Sequence, residues 1–298
     1  MRLSKLMRSG SFKQAMRDAE SLVKYSSSMQ SYRSLVSDEV AGLAMAMRKL
    51  FGVPHPLLST ARRLVLGSES GIRTRGVVVL LVSRAVNTSR HLPDLPPDGI
   101  LSSQRVLAEV SELIYTAFAL HRGLLEPQQM DPAHVKEQRL GNKLTVLGGD
   151  FLLANASTAL AKLGKPAVTQ LMAEAIEDAS AVGIHSALSP HQPLEERLDG
   201  ELEQGEGSLL GRACRAALLL AEGEEVEEAA LDQLQELGTA SACLEWQRRE
   251  EAAADHVSKV GLSALDRAEE ALAVSLAESS ATLALRHLLA GIREQLPQ

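Results

Sequence analysis

A segment that ends in charged residues is the first place where this sequence could do chemistry. It runs from Ala108 to Glu126 and ends in His121, Arg122, Gly123, Leu124, Leu125 and Glu126. Carboxylates one helical turn apart share a helix face and together hold hard cations such as Mg²⁺. Between His121 and Glu126 the only acid is Glu126, and Arg122 would repel a metal ion by about 1 kcal/mol at contact in water. The residues therefore predict no metal site at this end.

The apolar pattern that must position these residues is helical almost throughout. Apolar side chains recur every three or four residues from Val106 to His121, which predicts one buried helix face. The run from Leu144 to Leu153 is apolar nearly all round and predicts the central helix of a large bundle. Val77 to Val82 is β-branched and apolar, so periodicity alone leaves strand and helix open. Proline-containing stretches at Asn87–Asp98 and Leu188–Gly207 predict loops, the second one acidic and mobile.

The composition narrows the class of protein. The chain has 298 residues, 45% of them hydrophobic and only 3% aromatic, so its core must consist of Leu, Ala, Val and Met, which are mostly good helix formers. A net charge of −7 argues against nucleic-acid binding. Cys214 and Cys243 lack a CxxC spacing and form no disulfide framework, which fits a reducing compartment. No charge-free run of about 18 apolar residues exists, so we expect no transmembrane segment, while peripheral membrane association stays open.

The N-terminal residues are basic and contain no acid before Asp18. Such a start, with interspersed serines, is typical of an organellar targeting segment, and an ordinary basic first helix explains it equally well. Both interpretations of residues 1–30 stay open. For residues 31–298 we predict a single helical domain that is divergent and shortened after about residue 245.

Five sequence blocks, in order, carry a resemblance to a known family. They are His55–Leu58, Ser70–Leu81, the helix around Leu113-Ile114, Gly141–Ala156 and Ser208–Ala221. In this order and spacing the blocks resemble the trans-prenyl diphosphate synthases. The resemblance covers most of the chain and implies an all-α, isoprenoid synthase-type helical bundle. It also favours a helix for the Val77–Val82 run.

Enzymes of this family join an allylic diphosphate to isopentenyl diphosphate, and two Asp-Asp-x-x-Asp motifs hold the Mg²⁺ that neutralises the departing diphosphate. The resemblance places the first motif on Arg122, Gly123 and Glu126, and the second on Glu245, Trp246 and Arg249. Both motifs are degenerate in this chain. Arg73 and Arg75 match two arginines of the family's diphosphate-binding Gly-Lys-Arg-x-Arg-Pro. They are residual diphosphate-binding candidates, and they could equally pair with acids at a subunit interface.

Further charged positions of the family are also lost. The lysine of the diphosphate motif is Ile72, the histidine of Leu-Ile-His is Tyr115, and a Lys-Thr pair is Gly205-Glu206. The charged positions are lost together while the apolar positions are retained. This combination is similar to that of the non-catalytic subunits of heteromeric decaprenyl and solanesyl diphosphate synthases. The resemblance implies no catalytic residue and no bound metal here, a catalytic partner subunit that carries Mg²⁺, and work on the ubiquinone side chain in the mitochondrial matrix. A partner-free helical lipid-binding or scaffold protein is the alternative, and a synthase with rewired ligands is a third hypothesis.

Three structural expectations follow from this reading. The apolar faces of Val106–Ala117 and Leu144–Ala156 are expected to pack against the catalytic subunit. Asp150, within an apolar helix, is expected to be a buried and paired carboxylate, because a buried charge needs a partner. His121 is expected to be a hydrogen-bonded core histidine rather than a metal ligand.

Overall fold

The computed structural model describes residues 2–25, 54–57, 74–92, 94–189, 191–200, 204–222 and 254–295. Every regular element in these ranges is helical, which confirms the all-α prediction. The α-helices are α1 (Arg2–Val23), α2 (Thr74–Ser89), α3 (Ser102–His121), α4 (Val135–Leu163), α5 (Pro166–Leu188), α6 (Leu194–Gly200), α7 (Glu206–Glu222), α8 (Ala254–Ser275) and α9 (Ser280–Gln295). A single turn of 3₁₀ helix, Pro127–Gln129, lies between α3 and α4.

The chain forms two compact units. The first comprises Met1–Tyr25, Thr74–Ala108 and Leu163–Gln298, and the second comprises Ser26–Arg73 and Glu109–Lys162. The division passes through α3. The prediction of one domain over residues 31–298 stays a prediction.

Helix α2 is the central helix of the first unit. Its residues from Val77 to Val82 are at most 4% exposed, and it packs against α1, α7 and α9. A helix satisfies its own backbone hydrogen bonds, so an apolar run that is covered on all sides needs no neighbouring strand. The ambiguous β-branched run is therefore a helix, as the family resemblance favoured.

The helices α1 and α2 end in the same way. Lys24 and His91 each follow the last turn with a φ of 50°, a left-handed conformation. The next residue then bonds back into the helix, with Tyr25 N–H donating to Glu20 O at 3.1 Å and Leu92 N–H to Asn87 O at 3.2 Å. This Schellman arrangement satisfies carbonyls that a helix end leaves open. The predicted loop after Asn87 is confirmed, except that its first residues still belong to α2.

A buried amide network joins α2, the start of α3, and α7. The side-chain amides of Asn87 and Gln104 bond to each other in both directions, at 2.8 and 3.0 Å. Gln104 also donates to Ala217 O at 3.1 Å and accepts from Leu101 N–H at 3.0 Å, while Asn87 donates to Gly99 O at 2.9 Å. Every strong donor of these two buried side chains therefore has a partner, which is the condition under which buried amides stabilise a fold.

The second half of α1 belongs to the core of the first unit. Phe12, Ala19 and Val23 are buried, and α1 packs mainly against α9. Arg84 donates to Leu22 O at 2.5 Å and Arg105 to Val23 O at 3.0 Å. These cations lie at the negative end of the α1 dipole, where they are favourable. The targeting role of the N-terminus stays a prediction.

Two predictions about exposure were wrong. The apolar residues of α3 expected to contact a partner, such as Val110 and Leu113, are fully buried within this chain. Conversely, α4 is no all-round central helix, because Val146 is 39% and Leu147 is 64% exposed. By length and composition alone α4 could cross a membrane, which is weak evidence because core helices of soluble proteins pass the same test.

The acidic stretch predicted as a mobile loop contains helix α6. The segment begins after Pro193 with two acids, Glu195 and Glu196, in its first turn. Proline before a helix and acids at its positive end both favour helix initiation. His256 bonds to Asp199 at 2.7 Å and holds α6 against α8.

Candidate functional site

The resemblance places the family's first aspartate pair on Arg122 and Gly123, in the turn that directly follows α3. Arg122 N–H donates to Phe118 O at 3.0 Å, and Gly123 N–H donates to Leu120 O at 2.7 Å. Arg122 is exposed, whereas Gly123 is buried. The two residues therefore differ in environment, and only the arginine faces solvent.

The buried Gly123 lies against the segment 54–57. A Cβ added at Gly123 would be 3.0 Å from Leu120 O, 3.5 Å from Pro56 Cβ and 3.8 Å from Leu57 N. The added Cβ would make ordinary contacts with Pro56 and Leu57, and a tight contact with Leu120 O that requires a shift of a few tenths of an ångström.

The loop that follows α3 is fixed by two amide side chains of α4. Asn142 accepts from Leu125 N–H at 2.9 Å and donates to Leu125 O at 2.8 Å, so it pairs with the backbone in both directions. Gln138 accepts from Asp131 N–H at 2.8 Å and donates to Pro54 O at 2.9 Å. The two side-chain amides therefore provide hydrogen-bond partners for backbone groups of the loop from within the same chain.

The same amide of Asn142 also contacts His55. Leu57 N–H donates to His55 Nδ1 at 3.0 Å, so this ring nitrogen must be an acceptor. The proton of the neutral ring is then on Nε2, which donates to Asn142 Oδ1 at 3.1 Å. These bonds hold the buried His55 ring in one orientation and one tautomer.

Two glycines of α4 give the histidines room. A Cβ at Gly141 would fall within the His55 ring, with Nε2 only 2.6 Å away. A Cβ at Gly149 would similarly overlap the His121 ring, with Cε1 at 2.9 Å. The Gly-Asn-Lys and Gly-Gly-Asp sequences of α4 therefore serve close packing of histidine rings against the helix backbone.

His121 contacts α4 near the remnant of the motif. Its Nε2 lies 3.2 Å from Asp150 Oδ1 and 3.3 Å from Val146 O. Asp150 is paired, as expected, but its side chain is 61% exposed, so the prediction that it is buried was wrong. His121 is 28% exposed and hydrogen-bonded, at the edge of the core rather than within it.

Two acids, Glu126 and Asp131, lie in the loop itself. Glu126 precedes the 3₁₀ turn, and its N–H donates to Gln129 Oε1 at 2.9 Å. The pKa of Asp131 is lowered, mainly by the hydrogen bond from His134 and also by the Ala133 N–H. His134 Nδ1 lies 2.9 Å from Asp131 Oδ2. The Asp131 carboxylate therefore stabilises the start of α4, and Glu126 is left as the acid of the first motif.

The donor set does not fit Mg²⁺. Within the described residues no three His, Cys, Asp or Glu side chains converge as metal ligands would. Mg²⁺ requires near-octahedral oxygen ligands, which are usually one or two carboxylates, substrate phosphates and waters. Among the three positions of the first motif only Glu126 offers a carboxylate, and the cationic Arg122 lies four residues before it. We therefore derive no reaction step through a metal ion at this site.

The structure describes some of the other predicted site residues and not the rest. Arg75 lies in the first turn of α2 and is 7% exposed, and its role towards diphosphate stays a prediction. Tyr115 is buried on α3, and Gly205 is buried just before α7. Arg73, Glu245, Trp246 and Arg249 lie outside the described residues.

The fixed loop gives a first testable prediction. Asn142→Ala should lower the free energy of unfolding by about 2 kcal/mol, because Leu125 N–H, Leu125 O and the His55 Nε2–H all lose their partner. Asn155→Ala is the matched control, since Asn155 lies on the same helix and bonds only to Phe151 O within it. Urea unfolding monitored by circular dichroism compares the two. Equal midpoints would show that the loop is not fixed by Asn142.

The chain is similar in sequence to proteins of a known family. The polyprenyl synthetase family matches residues 57–241. The all trans-polyprenyl-diphosphate synthase PDSS2 of Rattus norvegicus is 42% identical over 223 residues, which cover 70% of this chain and 55% of that protein. The Homo sapiens protein of the same name is 41% identical over 221 residues, with the same coverage. This chain thus spans about half the length of the curated relatives that it matches.

More distant relatives and solved structures that resemble the chain are also prenyl diphosphate synthases by name. A probable mitochondrial hexaprenyl pyrophosphate synthase of Neurospora crassa is 32% identical over 231 residues, covering 62% of this chain and 51% of that protein. A decaprenyl diphosphate synthase from Rhodobacter capsulatus superimposes with a TM-score of 0.60 at 15% identity, over 94% of this chain and all of that one. A geranylgeranyl pyrophosphate synthetase from Geoglobus acetivorans gives 0.59 at 16% identity, over 90% of this chain and 99% of that one. These likenesses confirm the isoprenoid synthase-type helical fold.

Proposed function

This chain belongs to the polyprenyl synthetase family, and on that premise we propose that it is the non-catalytic subunit of a heteromeric long-chain trans-prenyl diphosphate synthase. The proposal rests above all on the turn that directly follows α3. There Arg122 faces solvent and Gly123 is packed against the segment 54–57, at the two positions where the family carries aspartates. A subunit without these carboxylates cannot neutralise a departing diphosphate through metal ions, so the chemistry would fall to a partner.

The fixed loop supports a structural role for this subunit. Gln138 and Asn142 bond to loop backbone that is followed directly by the start of α4. All three bonds join a side-chain amide to backbone of the same chain, so they form without any bound ligand. A loop held in this way keeps α3 and α4 in a fixed arrangement without substrate or metal. That arrangement suits a subunit that supports the active conformation of another chain.

The partner in this proposal is a catalytic subunit of the same family that carries both aspartate-rich motifs and binds Mg²⁺. A heterotetramer of the two chains would extend the prenyl chain for the ubiquinone side chain in the mitochondrial matrix. The mitochondrial names of the Neurospora crassa relative and of a solanesyl-diphosphate synthase 1 from Oryza sativa support this location. The basic residues before Asp18 agree with it.

Reconstitution tests the proposal. We expect the purified chain to give no product from farnesyl diphosphate, labelled isopentenyl diphosphate and Mg²⁺. Co-expression with the aspartate-rich homologue of the same genome should give a complex that makes the full-length prenyl product. Thin-layer or mass-spectrometric analysis of product length measures the result, with each chain alone as a reference.

A matched pair of variants, one in each chain, distinguishes a supporting role of this chain from a catalytic role. Arg122→Asp in this chain should leave the turnover of the complex unchanged, because a single restored acid builds no site, whereas loss of a motif aspartate in the partner should abolish turnover. If the partner alone makes the full-length product equally well and does not co-purify, the proposal fails. Binding of prenyl lipids by this chain without any co-purifying synthase would instead support the partner-free alternative. Magnesium-dependent turnover by the pure chain would support a rewired enzyme.

A further inference from the structure

Helix α1 changes its chemical character along its length. Its beginning carries cations at Arg2, Lys5 and Arg8, and no acid precedes Asp18. A basic, serine-containing start without acids is typical of a mitochondrial targeting segment. The residues from Phe12 onwards contribute instead to the core of the first unit. One helix therefore combines the composition of a leader with the packing of a core element.

The buried face of α1 includes Phe12 and extends to the end of the helix. Phe12 is 5% exposed, and Ala19 and Val23 are fully buried. These positions follow one another at helical spacing, so they lie on one side of the helix, which packs against α9 and α2. Removal of this part of α1 would expose apolar surface of both helices to water, which is unfavourable.

Helices α1 and α9 approach each other closely at Phe12. A Cβ added at Gly291 of α9 would lie 3.2 Å from Phe12 Cα and 3.1 Å from Phe12 Cδ2. The Cα belongs to the backbone and cannot rotate away as the end of a side chain can. The contact between the two helices therefore already includes the backbone at Phe12.

Two arginines hold the other end of α1. Arg84 of α2 donates to Leu22 O at 2.5 Å, and Arg105 of α3 donates to Val23 O at 3.0 Å. Arg105 also pairs with Asp98 at 2.7 Å. The last carbonyls of a helix have no partner within it, so these charged donors satisfy them. Without α1, both guanidinium groups would lose an acceptor.

The residues directly before Phe12 are Ser9, Gly10 and Ser11, which are poor helix formers. Glycine is the least favourable residue in a helix after proline, and serine ranks well below alanine. Proteolysis concentrates at small, polar residues where the backbone opens most easily. The sequence therefore favours cleavage between the basic beginning of α1 and its buried face.

We infer that α1 is divided just before Phe12 into a leader that is removed after import and a segment that stays in the folded subunit, with the cut between Arg8 and Phe12. The inference rests on the mitochondrial location in the proposed function. A processing peptidase would hydrolyse one peptide bond, so that one water molecule is consumed, the leader ends in a carboxylate and the mature chain begins with a free α-amino group. A targeting segment and a structural helix are then successive parts of α1.

Mapping the N-terminus of the imported protein tests the cut. The full chain with a C-terminal tag is expressed in cultured cells and purified from their mitochondria, and mass spectrometry of its N-terminal peptides identifies the first residue. We expect this residue to lie between Ser9 and Phe12. An imported chain that still contains Arg2, or one that begins after Phe12, overturns the inference and leaves the proposed subunit role intact. A chain that never enters mitochondria overturns the inference together with the proposed location, whereas the reconstitution with purified subunits is unaffected.

Truncation of the purified chain tests, without import, which part of α1 the fold needs. Removal of residues 2–10 should leave the melting temperature within about 2 °C of that of the full chain, and removal of residues 2–24 should lower it by at least about 10 °C or prevent folding. In case the longer truncation does not fold, Phe12→Ala is the second variant and should lower the melting temperature by at least about 5 °C. Arg17→Ala, at an exposed position of the same helix, is the matched control and should leave it unchanged. The division at Phe12 is wrong if Phe12→Ala melts with the full chain, or if removal of residues 2–10 destabilises the protein as much as Phe12→Ala does.

Discussion

Replacement of Gly141 by alanine should lower the free energy of unfolding by about 3 kcal/mol, the range expected when a methyl group is forced into a packed core. The added Cβ would overlap the His55 ring, with Nε2 at 2.6 Å and Cγ at 2.8 Å. The ring cannot simply rotate away, because its two nitrogens bond to Leu57 N–H and to Asn142. The structure must therefore either shift α4 or give up these hydrogen bonds.

Gly183→Ala is the matched control for this prediction. Gly183 lies in α5 with open space where a Cβ would be, so alanine there should stabilise the helix by about 0.5–1 kcal/mol. A second test combines Gly141→Ala with His55→Ala, which removes the overlapping ring. In the double variant alanine at position 141 should cost much less than it does beside an intact His55. If Gly141→Ala unfolds at the same urea concentration as the unaltered chain, the close approach of ring and helix is wrong.

The replacement Gln104→Leu should cost a similar amount, about 3 kcal/mol. Leucine fills the volume of Gln104 but leaves Leu101 N–H, Ala217 O and the Asn87 amide without their partner in the core. A buried polar group that loses its partner costs about 1–3 kcal/mol, and here several lose it together. Thermal unfolding followed by circular dichroism gives the change.

The control is the same substitution at an exposed position. Gln170 lies on α5 and bonds to Glu174 at 3.0 Å on the helix surface. Gln170→Leu should therefore change the stability by no more than about 0.5 kcal/mol. Equal melting temperatures for the two variants would mean that the network between α2, α3 and α7 contributes nothing to stability.

Sequence reasoning reached the fold through the order of five blocks and the helical spacing of apolar residues. It could not tell which helix is central. The run Leu144–Leu153 and the run Val77–Val82 are both apolar, and periodicity reports composition rather than the neighbours that cover a helix. Only the packing of α1, α7 and α9 around α2 decides the matter.

The sequence offered the residues of the candidate site but not the hydrogen bonds that surround them. Arg122, Gly123 and Glu126 could be read directly from the sequence. The roles of Gln138, Asn142 and His55 could not, because hydrogen bonds between residues 17 and 87 positions apart leave no local pattern. One signal was present: Gly141 and Gly149 in the interior of a helix cost stability unless something approaches closely. Each glycine indeed faces a histidine ring.

The packing around Gly123 also bears on how the sequence can change over time. Arg122 is exposed, so an aspartate fits at this position without repacking the core. At Gly123 a reversion would meet Leu120 O and the chain at Pro56 and Leu57 before it restored any ligand. In the proposed non-catalytic subunit, the tight contact with Leu120 O would therefore oppose an aspartate at position 123 even where position 122 accepts one.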